Sequence, residues 1–173
     1  MKSIKKISLS PIFGSLNQLK YVVSLAYLLV VISSNAQYFE WAKSFGGATN
    51  FDIGHSVTID SLGNVYTTGY FQGTVDFDPG IGTFNITSVN TYDVFVQKLD
   101  ASGNFLWAKS FGGLNNHFSS NSIKIDTSGN VCTTGYFIGT VDFDPGPGTY
   151  NLTSMGNRDF FIHKMDASGN FLW

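Results

Sequence analysis

The sequence contains a single cysteine, Cys132, so no disulfide can form within the chain and its stability has to come from packing. Glutamate is nearly missing as well. Eleven of the twelve acidic residues are aspartate, which favours turns, whereas glutamate favours helices. Only 13% of the residues are charged and 16% are aromatic, the reverse of a disordered composition. These deficits exclude a disulfide-stapled or disordered chain and argue against a helical bundle.

The N-terminal segment resembles a removable export signal. All four lysines before residue 37 precede the first acidic residue, Glu40. The apolar run Tyr21–Ile32 follows them, and its twelve residues are fewer than the ~20 that span a bilayer as a helix. Ser34 and Ala36 are small residues at the positions that a signal peptidase requires. We therefore predict a signal peptide at 1–36, cleaved after Ala36. It would contact the membrane only during export, and a retained anchor is the alternative.

The predicted mature chain is acidic. Residues 37–173 carry six lysine and arginine residues against twelve acidic residues, a formal net charge of −6. Binding to phosphate groups depends on clustered lysine and arginine. The charge therefore argues against nucleic acid and anionic membranes as partners.

The strongest feature of the sequence is a gapless internal repeat of 66 residues. The segment Trp41–Gly47, WAKSFGG, recurs as Trp107–Gly113, and 42 of the 66 aligned positions are identical. Such a period is typical of repeat architectures, in which each unit buries its apolar face on the next. We therefore divide the mature chain into a first repeat at 37–106 and a second at 107–172. A third repeat begins at Trp173, so a truncated chain is expected.

The motif Asp-x-x-Gly-Asn occurs twice in each repeat. Its four copies begin at Asp60, Asp100, Asp126 and Asp166. Each copy lies between runs of apolar β-forming residues. Its aspartate can accept hydrogen bonds from backbone amides, and its glycine supplies a positive φ. The motif predicts hairpin turns. A calcium loop is the alternative, although DASGN offers too few oxygens at the required spacing.

The apolar pattern predicts how one repeat packs. The runs Val65–Tyr66 and Val94–Val96 are apolar on both faces, so strands there have to be covered on both sides. Phe105, Trp107 and Phe111 are expected on one face of the last strand. Four antiparallel strands per repeat, each stacked on the next repeat, predict an all-β fold of β-propeller blades.

An additional segment interrupts each repeat between the second and third strands. It comprises Gly73–Ser88 in the first copy and Gly139–Ser154 in the second. Removing these 16 residues from 66 leaves 50, a usual blade length. We predict that the segment forms a hairpin at the rim of the blade.

The stretches GNVYTTGYF and YDVFVQKLDASGNFLWAKSFGG resemble the SBBP (β-propeller) repeat family of secreted bacterial proteins. The insert TVDFDPGIGTFNITS is similar to the long-blade form in exported proteins of Gram-negative, type IX-secreting bacteria. The resemblance covers Phe39 to Trp173, and it implies a propeller fold and an exported location. It implies no common activity and therefore no catalytic residue. Two blades are fewer than the four to eight of a usual ring, so an incomplete ring is expected.

The sequence Val-Asp-Phe-Asp-Pro-Gly is the polar motif that suggests a binding site most directly. It places two carboxylates on one strand face at Asp76 and Asp78, and again at Asp142 and Asp144. Such pairs can supply oxygen ligands to Ca²⁺, and isothermal titration calorimetry would detect stoichiometric binding. The alternative is that the second aspartate starts a turn with Pro-Gly while the first faces solvent. No other cofactor is expected.

If the chain were an enzyme, its catalytic centre would use residues that differ between the copies, because residues that are identical in both copies serve the repeated architecture. The polar residues that meet this criterion are Asp52, His55, His117, Arg158 and His163. None has the spacing of a nucleophile–base pair or a metal site, so no catalytic residue is assigned. The identical acid pairs do not provide the two different carboxylate environments that a glycosidase needs.

The function that these features predict is an exported, non-catalytic scaffold at the cell surface or outside the cell. Its blade loops would bind a protein or a glycan. The alternative is a fragment of a propeller-based enzyme that acts on polysaccharide. The copies differ most in the loops Ala48–His55 and Leu114–Asn121, where Phe51 and Phe118 are candidate contacts. An unclosed blade pair exposes an apolar face, so further blades or self-association are expected to cover it.

Overall fold

The computed structural model describes residues 38–48, 51–89, 91–113 and 118–173. The chain divides into two compact units, Met1–Glu40 and Trp41–Trp173. The predicted signal peptide lies outside the described residues, and the described part of the first unit, residues 38–40, contains no helix or strand. Within the described ranges, no helix has the length and hydropathy that crossing a bilayer requires.

The second unit consists of eleven strands in its described residues. In chain order they are β1 (Ile53–Ile59), β2 (Val65–Phe71), β3 (Thr74–Asp76), β4 (Asn85–Thr87), β5 (Asp93–Leu99), β6 (Phe105–Phe111), β7 (Phe118–Ile125), β8 (Val131–Phe137), β9 (Thr140–Asp142), β10 (Asn151–Thr153) and β11 (Asp159–Met165). Their sequences are rich in Val, Ile, Thr and aromatic residues, which fit a pleated and partly buried surface.

The strands form two antiparallel sheets and two hairpins. The first sheet has the order β1-β2-β5-β6, and the second has the order β7-β8-β11. The hairpin β3–β4 lies in sequence between β2 and β5, and β9–β10 lies between β8 and β11. The all-β fold of propeller-type blades is thus confirmed, and the two sheets do not close a ring. Strand β6 begins in the first sequence repeat and ends in the second, so sheets and sequence repeats are offset.

The Asp-x-x-Gly-Asn motifs form tight turns, as the sequence predicts. In the turn between β1 and β2, Asp60 Oδ1 accepts the backbone amides of Leu62 and Asn64, both at 2.9 Å. Asp60 Oδ2 accepts the side-chain amide of Asn64 at 2.8 Å. Gly63 has a φ of 82°, a conformation that favours glycine. The same bonds recur in the other three turns.

A register shift places Phe105 on the opposite face of β6 from the one expected. Lys98 pairs with Trp107, and its neighbour Leu99 pairs with Phe105, so Leu106 is an extra residue in β6. An extra residue reverses the side-chain alternation of a strand. Phe105 therefore packs with the cluster on one face of the first sheet, and Trp107 with the cluster on the other. The prediction of a single shared face was wrong.

The inserted segments form hairpins, but they belong to the core and not only to the rim. Val75 and Phe77 of the first hairpin segment are fully buried. The Phe77 ring centroid lies 5.2 Å from those of Phe71 and Phe95 in the first sheet. The equivalent Phe143 packs on the second sheet in the same way. Each hairpin therefore covers one face of its own sheet.

The two sheets pack through a shared core. We call the face of the first sheet that carries Val94 and Val96 its trailing face, and the face that carries Phe71 and Phe95 its leading face. The faces of the second sheet take the same names from the equivalent residues. The trailing face of the first sheet packs on the leading face of the second sheet and on the second hairpin. This larger cluster contains Tyr66, Val94, Val96, Phe111, Phe118, Ile123, Val131, Phe137, Val141, Phe143, Phe161 and Met165.

Candidate functional site

An aromatic recess of about 260 Å³ lies between the two sheets. Its lining residues are Tyr70 in β2, Tyr92 directly before β5, Phe118 at the start of β7 and Tyr136 in β8. The three tyrosines are half-buried, whereas Phe118 belongs to the core. A concave, mostly aromatic surface with a few polar groups is the usual form of a binding site. We call this surface the aromatic recess.

Ring contacts hold the recess side chains in place. Tyr70 and Tyr92 meet edge to face, with ring centroids 5.0 Å apart. His55 meets the Tyr70 ring at 5.3 Å, also edge to face. On the second sheet, the guanidinium carbon of Arg158 lies 4.6 Å from the centroid of Tyr136, a cation–π contact. The recess is therefore flanked by an imidazole on one side and a guanidinium on the other.

The recess gathers residues that differ between the repeats. His55, Tyr92, Phe118 and Arg158 each stand opposite a different residue type in the other copy. Residues that differ in this way are the ones from which a single, non-repeated site can be built. The sequence analysis did not select Tyr92 as a candidate site residue, although Arg158 occupies its position in the second repeat and this difference could have indicated it. Tyr70 and Tyr136 are identical in the two copies and gave no such signal.

The structure brings two of the five predicted polar candidates to the recess. These are His55 and Arg158, through their contacts with tyrosine rings. His55 Nδ1 also lies 3.1 Å from the carbonyl oxygen of Ser120 in the second sheet, so it joins the two sheets. His117 lies outside the described residues.

The other two candidates, Asp52 and His163, interact with the protein itself and lie outside the recess. Asp52 Oδ2 accepts the backbone amide of Gly47 at 2.6 Å. His163 is buried in the shared core, where its ring lies 4.5 Å from Phe111 and stacks on Phe171 at 5.6 Å. Burial lowers the pKa of His163 to about 4, so it is neutral at pH 7. Neither side chain is placed to act on a ligand in the recess.

The two aromatic residues predicted as ligand contacts differ in exposure. Phe51 is largely exposed, as expected. Phe118 is buried between the sheets, with its ring 5.2 Å from Phe161, so it is not exposed in a loop, and its contact with a ligand stays a prediction. Phe118 is the first residue of β7, and its side chain lines the part of the recess that adjoins the shared core. Residues 49–50 and 114–117 of the two variable loops lie outside the described residues.

A second cleft, of about 540 Å³, lies between the first turns of the two sheets. Several polar groups in this cleft or beside it have partners within the chain. Tyr66 donates to Asp60 Oδ2 at 3.1 Å, and burial together with this carboxylate raises the pKa of Tyr66. The ammonium of Lys98 lies 4.9 Å from the Tyr66 ring centroid. Lys164 pairs with Asp126 at 2.8 Å, and this contact lowers the pKa of Asp126.

The paired aspartates predicted as calcium ligands accept hydrogen bonds from backbone amides in the loops of the inserted hairpins. Asp76 Oδ1 accepts the backbone amides of Asp78 and Phe84, and Asp78 Oδ1 accepts that of Gly80. The same three bonds recur around Asp142 and Asp144 in the second copy. Within the described ranges, no group of three or more His, Cys, Asp or Glu side chains converges as a metal site. Calcium binding by these pairs stays a prediction.

Buried polar groups near the shared core are incompletely paired. Asp93 Oδ2 accepts the amide of Val89 at 3.0 Å, but its Oδ1 has no hydrogen-bond partner. Burial raises the pKa of Asp93, and the Val89 amide only partly offsets this effect. A Cβ atom at Gly112 would overlap Asp93 Oδ1, so the carboxylate is accommodated only because position 112 is glycine.

Comparison with known proteins finds similarity in part of the first repeat. Residues 40–70 match the family described as β-propeller repeat, SBBP. An uncharacterised WD repeat-containing protein of Acanthamoeba polyphaga mimivirus is 32% identical over 111 residues, which cover 56% of this chain and 8% of that protein. The chain thus corresponds to a small part of this relative. No solved structure matches the chain. Residues 40–70, at the start of the first repeat, are thus similar to the SBBP β-propeller repeat.

Proposed function

We propose that the chain is a non-catalytic repeat module that binds a protein segment at the aromatic recess. The observation that carries this proposal is the convergence at one recess of His55, Tyr92, Phe118 and Arg158, which all differ between otherwise similar repeats. Tyrosine and arginine are enriched among the residues that dominate binding energy at protein interfaces. The β-propeller repeat at residues 40–70 and the WD repeat-containing relative are consistent with a role in protein interaction.

The recess favours a particular ligand chemistry. A volume of about 260 Å³ accommodates one apolar or aromatic side chain as an anchor. Arg158 is exposed beside Tyr136, so an acidic residue next to the anchor would be complementary to it. We therefore infer that the ligand is a peptide segment with an apolar anchor followed or preceded by an acidic residue.

The absence of catalysis is part of the proposal. Asp52 binds the Gly47 amide and His163 is buried, so among the described candidates only His55 and Arg158 flank the recess. A guanidinium does not act as a general base, because it stays protonated in proteins. The predicted alternative, a fragment of a polysaccharide-acting enzyme, finds no support in these positions.

An exported location is also proposed. It is supported by the basic residues, the apolar run Tyr21–Ile32 and the small residues Ser34 and Ala36 that precede the acidic remainder of the chain. A location at the cell surface or in the medium would place the recess in contact with extracellular proteins.

The test is to screen the immobilised full chain against a displayed peptide library and a glycan array. We expect enrichment of peptides with an apolar anchor and a neighbouring acid. Replacement of Tyr92 by alanine should weaken the affinity for the selected peptide at least about tenfold, because a central aromatic contact contributes more than ~1.4 kcal/mol. Surface plasmon resonance measures the affinity of the protein and its variants.

Tyr150→Ala is the matched control, since Tyr150 lies directly before β10, outside the recess. It should leave the peptide affinity unchanged. Binding to glycans but to no peptide would overturn the assignment of a protein ligand. Hydrolysis of a polysaccharide that a single acid substitution abolishes would overturn the non-catalytic role.

A further inference from the structure

On each outer side of the two sheets, the described residues leave uncovered an apolar face that is equivalent to one half of the interface between the sheets. Val94 and Val96 on the trailing face of the first sheet are both 0% exposed, because the second sheet covers them. The equivalent residues of the second sheet, Phe160 and Ile162, are 80% and 59% exposed. The trailing face of the second sheet is thus the same apolar surface without its cover.

The complementary half lies at the other end. Ile123, on the leading face of the second sheet, is 1% exposed in the shared core, and Ile125 packs against the same core. The equivalent residues of the first sheet, Val57 and Ile59, are 61% and 63% exposed. The molecule therefore presents both halves of an interface that it has already formed once internally.

The segment Trp41–Gly47 is placed like the last strand of a neighbouring sheet. Phe45 lies 5.7 Å from Phe77 and 5.8 Å from Phe95, at interplanar angles of 38° and 88°. Its equivalent Phe111 lies in β6 of the first sheet and packs on the second sheet. Its distances to the equivalent rings are 6.0 and 6.4 Å, at angles of 39° and 88°. The geometry of Phe45 on the first sheet therefore reproduces that of β6 on the second.

The second sheet has an edge that can receive this segment. Strand β11 is bonded to β8 on one side, and on the other it meets only Phe171–Trp173 among the described residues. In the first sheet the corresponding edge of β5 pairs with β6 along its length except at the extra residue Leu106, and β6 begins at Phe105, the equivalent of Phe171. The sequence of Trp41–Phe45 is identical to that of the last five residues of β6. Trp173 already occupies the place of Trp107 beside β11, so Ala42–Phe45 of this segment would continue the strand that Phe171–Trp173 begin.

The charges at the two ends are also complementary. Within the molecule, Tyr92 of the trailing side and Phe118 of the leading side line the same recess. Their equivalents at the open ends are Arg158 and Asp52. An aromatic pair inside the molecule thus corresponds to an opposite-charge pair across the open faces. Such a pair favours this orientation over a contact between two like faces, which would bring Arg158 against Arg158.

We propose that copies of this chain dock head to tail. The leading face and the segment Trp41–Phe45 of one copy cover the trailing face and the open edge of β11 of another. Because the two contact surfaces are different, the interface is heterologous, and successive copies add in the same direction until a ring closes. Arg158 borders both the aromatic recess and the docked trailing face, so the two proposals share this residue. The mass of the assembly in the absence of peptide tests the docking separately.

The test measures the mass of the purified full chain by size-exclusion chromatography with light scattering and by analytical ultracentrifugation. We expect concentration-dependent assemblies of two or more copies. Ile162→Lys blocks the trailing face and Val57→Lys blocks the leading face. Each charge would have to be buried in the interface, so each variant should weaken association at least about tenfold and run as a monomer.

Mixing the two variants distinguishes head-to-tail docking from other contacts. The Ile162→Lys protein retains a free leading face and the Val57→Lys protein retains a free trailing face. An equimolar mixture should therefore form a complex of one copy of each and should not grow further. Contact between two trailing faces would instead leave Val57→Lys dimeric by itself, and that result would overturn the proposal.

Met155→Lys is the control for the added charge. Met155 is exposed, and its equivalent Val89 remains exposed although the second sheet covers the trailing face of the first, so both lie outside the interface. This variant should associate like the unaltered chain. A monomeric unaltered chain at tens of micromolar, or equal loss of association in Met155→Lys, would contradict head-to-tail docking. Circular dichroism of each variant confirms that it retains its β-structure.

Discussion

Single residues that differ between the repeats show what one backbone position tolerates. Gln97 and His163 are equivalent, and both are buried beneath an inserted hairpin. Gln97 donates from Nε2 to the carbonyl oxygen of Phe77 at 2.6 Å. His163 lies at the same place against the second hairpin, and its Nε2 has no hydrogen-bond partner. The repeat thus supplies a natural replacement for a buried titratable side chain.

The burial of His163 predicts a specific loss of stability in acid. The unfolded chain protonates this histidine near pH 6.5, whereas the folded chain does so only near pH 4. The free energy of unfolding should therefore fall as the pH drops from 6.5 towards 4, by roughly 3 kcal/mol for this group. Urea unfolding at several pH values measures this loss.

The variant His163→Gln is the control, since glutamine occupies this position in the first repeat. It should remove most of the loss between pH 6.5 and 4 while leaving the stability at pH 8 little changed. The comparison should stay above pH 4. Hydrogen bonds from asparagine hold the pKa of the turn aspartates Asp100 and Asp166 below its usual value, so these turns also lose stability in strong acid, equally in both proteins. An identical pH profile in both proteins would contradict the assignment.

At the scale of elements, a bulge decides the shape of the first strand pair in each sheet. The pairing of β1 with β2 shifts between Gly54 and Ser56, and that of β7 with β8 shifts between Ser120 and Ser122. The partner strand approaches so closely there that a Cβ atom on Gly135 would overlap the Ser119 carbonyl oxygen. Glycine at this position is therefore required by the close approach of two backbones.

Replacing Gly135 by alanine should break this pairing. The new methyl group would overlap backbone atoms, which cannot move away as a flexible side chain can. We expect a loss of several kcal/mol in the free energy of unfolding, or failure of the second sheet to fold. Gly156→Ala is the control, because a Cβ atom there meets nothing within 4 Å. Thermal and urea unfolding measure both, and equal stability of the two variants would contradict the close approach.

The second inserted hairpin packs between the second sheet and the neighbouring first sheet. Phe143, in the loop after β9, is buried against Phe111 of the first sheet and Phe161 of the second. It therefore belongs to the packing of both sheets, although its segment is an insertion in sequence. Deleting or weakening a hairpin should affect both sheets.

Replacing Phe143 by alanine should cost about 3–5 kcal/mol of unfolding free energy, as is usual for a buried phenylalanine. Leu152→Ala in the same hairpin should cost much less, since Leu152 is exposed. Amide hydrogen exchange should report reduced protection in both sheets of the Phe143→Ala protein. Reduced protection confined to the second sheet would show that the shared core does not couple them.

At the scale of the whole molecule, the two sheets share one core and leave two open apolar faces. A repeat protein of this kind gains its stability from contacts between neighbours, and its terminal faces need a cover. The proposed export would bring these faces, together with the aromatic recess, outside the cell. The N-terminal segment is the part of the chain on which this proposal depends.

Expression from Met1 in a bacterial host should give a mature protein that begins at Gln37. Intact-mass spectrometry and N-terminal sequencing of the exported fraction measure the cleavage site. Replacing Ala36 by leucine should block cleavage, because the peptidase requires a small residue there, and the uncleaved chain should accumulate in the membrane fraction. An unaltered chain that keeps Met1 in the membrane would instead support the retained anchor.

The sequence alone determined the repeat, the strands and the turns, because these depend on local patterns. The identity of 42 in 66 positions predicts two equivalent units, and the Asp-x-x-Gly-Asn motifs predict turns whose bonds all lie within five residues. Only the tertiary structure decided the face of Phe105, the depth of the inserted hairpins and the grouping of Tyr70 with Tyr136. These features depend on a one-residue register shift and on packing between residues far apart in the chain, and neither leaves a periodic trace in the sequence.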